Sequence, residues 1–241
     1  MSYRSLLVLG LFLCTACAPA PEGVTVHDPY EPLNRQVHAF NKTVDRNIFG
    51  GLGGDGPGID PAYTQPVVNF ADNVGLPGMV VNGVLQGDVG GAGTNMMRFV
   101  LNTTVGVLGL FDPAGAIGLG EEETDFGETL AVWGAPEGAY LELPLIGPST
   151  ERAFAGRIVD IFLDPLEFVG TPIQNDYATI GKIAGRVVKR DQFGDTIDSV
   201  LRDSADSYAQ QRLIYLQNRR FELGTTLESD AVDPYAELFG E

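Results

Sequence analysis

Apolar residues recur along this chain in short helical rhythms, and glycine or proline repeatedly cuts each one off. Leu33, Val37 and Phe40 fall on one helical face, with Asp28 or Glu31 available as a cap and Pro32 tolerated in the first turn. From Tyr63 the spacing predicts a second helix with Val67, Phe70 and Val74 together, broken at Leu76-Pro77-Gly78. A short helix over Met79–Leu85 then ends at Gln86-Gly87-Asp88, and another runs from about Thr94 to Asp112-Pro113. Thr150–Phe162 predicts a helix with Phe154, Ile158, Ile161 and Phe162 inward, and Pro165 ends or kinks the chain beyond it. Asp195–Leu223 is the longest periodic run, carrying Ile197, Leu201, Ser204, Tyr208, Tyr215 and Leu216 along one side, and Gly224 stops it. Only Thr129–Trp133 and Ala139–Leu143 alternate, around GAPEG (Gly134–Gly138), which predicts a short hairpin or a hinge. No repeat of fixed period occurs. The pattern predicts a mainly α fold: one helical domain over 27–223, with Gly/Pro-kinked short helices and at most a short β-hairpin.

One stretch departs from this amphipathic rule. Met97–Phe111 (MRFVLNTTVGVLGLF) has no charge after Arg98. As a helix, Phe99–Phe111 would be ~20 Å long, short of the ~30 Å hydrocarbon core, so it cannot span a membrane alone. Its apolar residues lie nearly all round, at Val100, Leu101, Val105, Val107, Leu108 and Leu110, while Asn102, Thr103 and Thr104 form an uncharged polar cluster. A core helix accounts for it. So does a wall with one side against acyl chains or protein and the other lining a partly wet cavity.

The N-terminus adds a compartment. Arg4 and the apolar run Leu6–Leu13 have the form of a signal peptide, ending in LCTAC before Cys17. That resembles a bacterial lipobox, with Cys17 as the acylated residue; an ordinary secretory signal with two incidental cysteines is the other reading. Ala18 follows in place of the Asp of an inner-membrane retention signal, which points to the outer membrane. The expected organisation is a signal peptide over 1–16, an acylated tether over 17–26 and an acidic, disordered tail over 224–241.

Charge narrows the partners. A net charge of −17 repels nucleic acid and anionic headgroups. Catalytic chemistry is not legible: His27 and His38 are the only histidines, and neither GxSxG nor HExxH occurs. With Cys17 acylated, no cysteine is available as a nucleophile or zinc ligand, so the chain reads as a non-enzyme without cofactor or metal. Glu121–Asp125 (EEETD) lacks the alternating oxygen ligands of a cation loop, which favours a solvated loop. The glycine-rich Asn47–Pro61 lacks the GK[ST] of a phosphate cradle, which favours a connector.

Five blocks, taken in order, carry a resemblance: DPYEPLNRQVHAFN, VVNGVLQGD, RFVLNTTVGVLGLFDPAG, ETDFGETLAVWGAPEGAYLELPLIGPS and DSYAQQRLIYLQNRR. Together they resemble the VacJ/MlaA family of phospholipid-transport lipoproteins from about Asp28 to Arg220. The resemblance implies a ring-like helical protein in the inner leaflet of the bacterial outer membrane, beside a trimeric porin. It would move phospholipid mislocalised in the outer leaflet through an amphipathic channel to a periplasmic carrier, maintaining lipid asymmetry. It implies no enzyme activity and no cofactor. Arg98, Asn102, Thr103 and Thr104 become candidates for the channel or its wall, with Arg98 meeting either a lipid phosphate or one of the chain's carboxylates. Gly134 and Gly138 align with a glycine-containing loop of the family that adjusts the channel. Asn34, Arg35, Phe40 and Asn41 match the first block, as packing and capping residues or as lipid contacts. A lipid-anchored structural partner of a porin, without transport of its own, is the alternative.

Overall fold

The computed structural model describes residues 26–49, 60–166 and 172–224. The signal segment, Cys17, most of the tether, the centre of the glycine-rich connector and the tail beyond Gly224 lie outside them. The described residues form nine helices and one two-stranded hairpin. In chain order these are α1 (Glu31–Phe49), α2 (Pro61–Gln86), α3 (Val89–Thr104), α4 (Pro113–Ala116), α5 (Phe126–Val132), β1 (Tyr140–Leu143), β2 (Gly147–Thr150), α6 (Glu151–Leu163), α7 (Pro172–Gln192), α8 (Gly194–Leu201) and α9 (Ser207–Glu222). The strands are antiparallel, with Tyr140 opposite Thr150 and Leu143 opposite Gly147. The fold is mainly α with one hairpin, as the sequence pattern predicts.

Helix α2 is the central strut, packing against α3, α5, α6 and α7. From α2 the neighbours run through α5, α6, β2, α9, α8 and α7 and back to α2, so the packing closes into a circuit. Close backbone approaches make it possible. A Cβ on Gly156 of α6 would lie 2.2 Å from the Gly127 nitrogen of α5, so only glycine fits there. On α7, Gly181 receives the Phe70 ring and Gly185 receives the Ala71 methyl, and Val188 completes this buried stripe at helical spacing.

Four boundaries differ from the expected ones. Pro77 does not divide the second helix: α2 runs unbroken through Pro66 and Pro77. Leu76 beside it is fully buried, so packing on both flanks compensates the backbone bond that proline removes. The long run over 195–223 is two helices, because α8 ends at Leu201 and Asp206 caps a new start by accepting the Ala209 N–H. The hairpin lies one element later than GAPEG, since Thr129–Val132 belongs to α5, which Asp125 caps through the Glu128 N–H. The helix through the central stretch starts at Val89 and stops at Thr104. Beyond it Val107, Leu108 and Gly109 take left-handed conformations, with φ of 54°, 59° and 89°. Such backbone costs roughly 1–2 kcal/mol for each non-glycine residue. Hydrogen bonds from Leu108 N–H to the Thr103 carbonyl and from Gly109 N–H to the Asn102 carbonyl hold it.

The largest correction concerns direction. Leu33 and Phe40 of α1 are exposed, while Asn34 and His38 are buried. In α6, Phe154, Ile161 and Phe162 are exposed, and Arg152, Ala153 and Gly156 are buried. Both helices turn much of the apolar stripe outward, leaving Val37 and Ile158 half-buried, unlike the arrangement expected for a protein surrounded by water.

Candidate functional site

The interior is as polar as it is apolar. Among the described residues, thirteen hydrophobic and thirteen polar or charged residues are buried, while thirty large hydrophobics are exposed. Soluble domains seldom bury so many polar groups. Most of them hydrogen-bond within the fold, to backbone groups or to other side chains, which offsets the cost of taking them out of water. The exposed apolar set includes Val105, Val107, Leu108, Leu110 and Phe111 after α3, Ile117 after α4, and Leu145 and Ile146 at the hairpin tip. No helix among the described residues is long and apolar enough to cross a membrane.

The first-block residues tie α1 to the hairpin. Asn34 Nδ2 donates to Asp28 Oδ1 at 2.9 Å and to the Tyr140 carbonyl at 3.1 Å, and its Oδ1 accepts the Glu142 N–H at 3.0 Å. Two turns later Asn41 Nδ2 donates to the Leu143 carbonyl at 2.9 Å. Its Oδ1 accepts the Leu145 N–H at 2.7 Å, steadying a residue with φ of 63°. Arg35 bridges Glu31 and Asp206 and lies over the Tyr208 ring. The Arg35 hydrogen bond leads the causes that pull Asp206 down to about 2. Phe40 points outward, half exposed. Asn34 and Asn41 thus link α1 to the hairpin, Arg35 links it to the start of α9, and Phe40 contributes to the apolar exterior.

The candidate wall residues form a second knot. Arg98, only 6% exposed, donates to the Leu119 carbonyl and pairs with Asp112 at 3.1 Å, with Glu121 at 3.8 Å. Asn102 donates to Asp112 Oδ1 at 2.8 Å and accepts the Ala114 N–H at 3.1 Å, fastening α3 to α4. Asp112 also accepts the Gly115 N–H as the cap of α4. Burial opposes ionisation of Asp112, but the bonds from Gly115, Asn102 and Arg98 outweigh it and hold the carboxyl below its usual range. Thr103 Oγ1 accepts from Asn73 Nδ2 at 3.1 Å, and Thr104, exposed, donates back to the Val100 carbonyl. Glu121 is pushed up to about 7 by burial and by Asp72, against the pull of Arg98.

Gly134 and Gly138 both have positive φ, 88° and 76°, and bracket the loop between α5 and β1. A Cβ at Gly138 would meet Glu151 at 2.6 Å. The loop is fastened at several points. Trp133 Nε1 donates to the Leu85 carbonyl at 3.1 Å, Arg152 donates to the Ala135 carbonyl at 2.9 Å, and Glu151 accepts the Ala139 N–H at 3.1 Å. Arg220 of α9 forks onto the Glu137 carboxylate at 2.8 and 3.0 Å. Sequence reasoning did not single out Arg152, Glu137 or Arg220, because the partners are 17 and 83 residues apart.

His38, Glu142 and Ser207 come together in the interior. His38 Nε2 lies 3.0 Å from Ser207 Oγ, and its Nδ1 lies 3.6 Å from Glu142, beyond hydrogen-bond reach. Glu142 is already taken by the Tyr140 hydroxyl at 2.5 Å and by Asn41. The geometry makes a hydrogen-bonded network that joins α1, β1 and the start of α9. No group of His, Cys, Asp and Glu suited to a metal occurs among the described residues.

A polar, hydrogen-bonded interior inside an apolar exterior is a distinctive arrangement, and comparison with known proteins gives it a lineage. The sequence profile described as MlaA lipoprotein matches residues 26–222. The chain belongs to the MlaA lipoprotein family. It is 30% identical over 237 residues to the intermembrane phospholipid transport system lipoprotein MlaA of Escherichia coli, covering 90% of this chain and 87% of that one. It is 36% identical over 193 residues to an uncharacterized protein of Rickettsia felis, covering 78% and 74%. A solved structure from work on the structural basis for maintenance of bacterial outer membrane lipid asymmetry superposes with a TM-score of 0.63. Sequence identity to it is 29%, over 81% of this chain and 98% of that chain. Membership of the MlaA family covers the whole described domain, from the α1 clamp to α9.

Proposed function

We propose that this MlaA-family chain is an outer-membrane lipoprotein, acylated at Cys17, that moves mislocalised phospholipid from the outer leaflet inward and so maintains lipid asymmetry. The observation that carries the reading is the inverted partition of side chains. A protein seated among acyl chains gains by presenting apolar residues outward, as Leu33, Phe40, Leu108, Ile161 and Phe162 do. A route for a phospholipid headgroup needs polar groups inward, because stripping a phosphate of its hydrogen bonds is very costly. The closed circuit of helices provides an inside distinct from an outside. In this reading a trimeric porin flanks the ring and a periplasmic lipid carrier receives the cargo; the chain itself performs no covalent chemistry.

The test is genetic. Deleting the gene is expected to sensitise cells to detergent and raise phospholipid at the surface, and the wild-type gene restores both. Leu108→Asp, on the exposed turn, is expected to restore neither while remaining folded. Unchanged detergent sensitivity and lipid distribution in the deletion strain would refute transport and leave a lipid-anchored structural partner of a porin.

A further inference from the structure

Glu137 of the Gly134–Gly138 loop lines a half-open cavity of about 430 Å³, whose other walls come from α5, α6 and the end of α9. That volume lies within the ~300–1,000 Å³ typical of small-ligand sites. Its charged lining is balanced: Arg152 and Arg220 are set against Glu128 and Glu137. Val132 and Leu223 supply apolar wall. A site for a simple anion would gather arginines without carboxylates, and a cation site the reverse. Two of each sign around one cavity match a ligand that carries both.

We propose that this cavity binds a zwitterionic phosphoamine headgroup, with its phosphate on Arg220 and Arg152 and its ammonium on Glu128 and Glu137. The proposal rests on the phospholipid-handling reading and assigns that reading a headgroup class and a waypoint. Arg220 already holds Glu137 through two bonds, so a phosphate takes the guanidinium fork by exchange, and the released carboxylate turns to the ammonium. Burial pushes the Glu128 carboxyl up, and an ammonium beside it supplies a counter-charge. Arg152 keeps its bond to the Ala135 carbonyl throughout, so the exchange loosens the loop from α9 but not from α6. Ligand arrival is thereby coupled to the ion pair that ties the loop to the final helix.

Native mass spectrometry of the full, acylated chain in detergent tests this with three probes: dihexanoyl phosphatidylethanolamine, dihexanoyl phosphatidylglycerol and O-phosphoethanolamine. The wild type is expected to hold the phosphatidylethanolamine at least tenfold more tightly than either other probe. Equal affinity for O-phosphoethanolamine would overturn assignment to a lipid. Arg220→Gln should weaken the phosphatidylethanolamine about tenfold, and Glu128→Gln should erase the preference over phosphatidylglycerol. Glu137→Gln should raise phosphatidylglycerol affinity several-fold by removing the competitor for Arg220, an effect that loss of a structural ion pair would not produce. Phospholipid bound by the wild type but unaffected by all three substitutions would overturn the site and leave transport standing. A wild type that binds no phospholipid would overturn both.

Discussion

Removing the Asp112 carboxylate is the sharpest test of how the polar interior is held together. In Asp112→Ala, α4 loses the cap on its Gly115 N–H, worth about 1 kcal/mol. The Asn102 amide loses an acceptor at 2.8 Å, worth about 1 kcal/mol more. Arg98 then keeps the Leu119 carbonyl but has only Glu121, at 3.8 Å, as a counter-charge. Breaking a fully buried pair costs about 3–5 kcal/mol; Asp112 is 32% exposed, so about 2 kcal/mol is the fitting share. The sum is about 4 kcal/mol, which for a chain of this length lowers the melting temperature by roughly 8–15 °C. Far-UV circular dichroism of the purified protein in mild detergent reads this directly. Asp112→Asn, which keeps an oxygen acceptor without the charge, should lose about half as much. Arg98→Met combined with Asp112→Ala should fall short of the summed single effects by about 2 kcal/mol. A melting temperature for Asp112→Ala within about 2 °C of wild type, or strict additivity of the pair, would refute the reasoning.

Two further outcomes are expected from the packing and the electrostatics. Gly156→Ala drives a methyl into the backbone of Gly127, so it should cost about 1–3 kcal/mol, visible as a lower melting temperature; an unchanged melt would mean that α5 and α6 do not approach as closely as they do here. Glu121, raised from the usual 4.5 to about 7, binds its proton more tightly folded than unfolded, so its contribution is intact at low pH and lost as pH rises through 7. Asp72 and Glu123 repel its charge, and Arg98 and Lys189 partly offset them. Glu121→Gln should therefore match wild type near pH 4.5 and exceed it by about 2 kcal/mol at about pH 8, with a flatter melting-temperature profile between. Parallel pH profiles for the two proteins would sink that account.

Much of the helix content was legible in the sequence, because caps and periodicity are local. Thr150 accepts a backbone N–H at the start of α6, where periodicity also places a helix, but Asp88 caps α3 where the pattern reads as a helix end, and Asp125 caps α5 where it reads as alternation. Helix α7 was not legible. Its buried stripe is Gly181, Gly185 and Val188, and small residues give no hydrophobic signal until the Phe70 ring and Ala71 methyl that fill their space are known. Candidate sites divided in the same way. The sequence picks out Arg98, Asn102, Gly134 and Gly138 but not their partners: Asp112 reads as a stop signal, and Arg220 only as the last residue of the matching blocks.

What the sequence determined by itself was the inventory: acidic, mainly helical, punctuated by glycine and proline, with a central stretch too short to span a membrane and apolar on nearly every side. What only the tertiary structure decided was which face of α1 and of α6 points inward. The pattern of α1 and α6 is amphipathic either way round, and periodicity carries the angle between apolar and polar faces but not the identity of the surrounding medium. The usual assignment assumes water outside. Here long-range hydrogen bonds settle it, such as Asn34 to Tyr140, Asn82 to Asp160 and Arg220 to Glu137. A buried amide or guanidinium must find its partner inside the fold, and once those partners meet, the apolar faces are left pointing out.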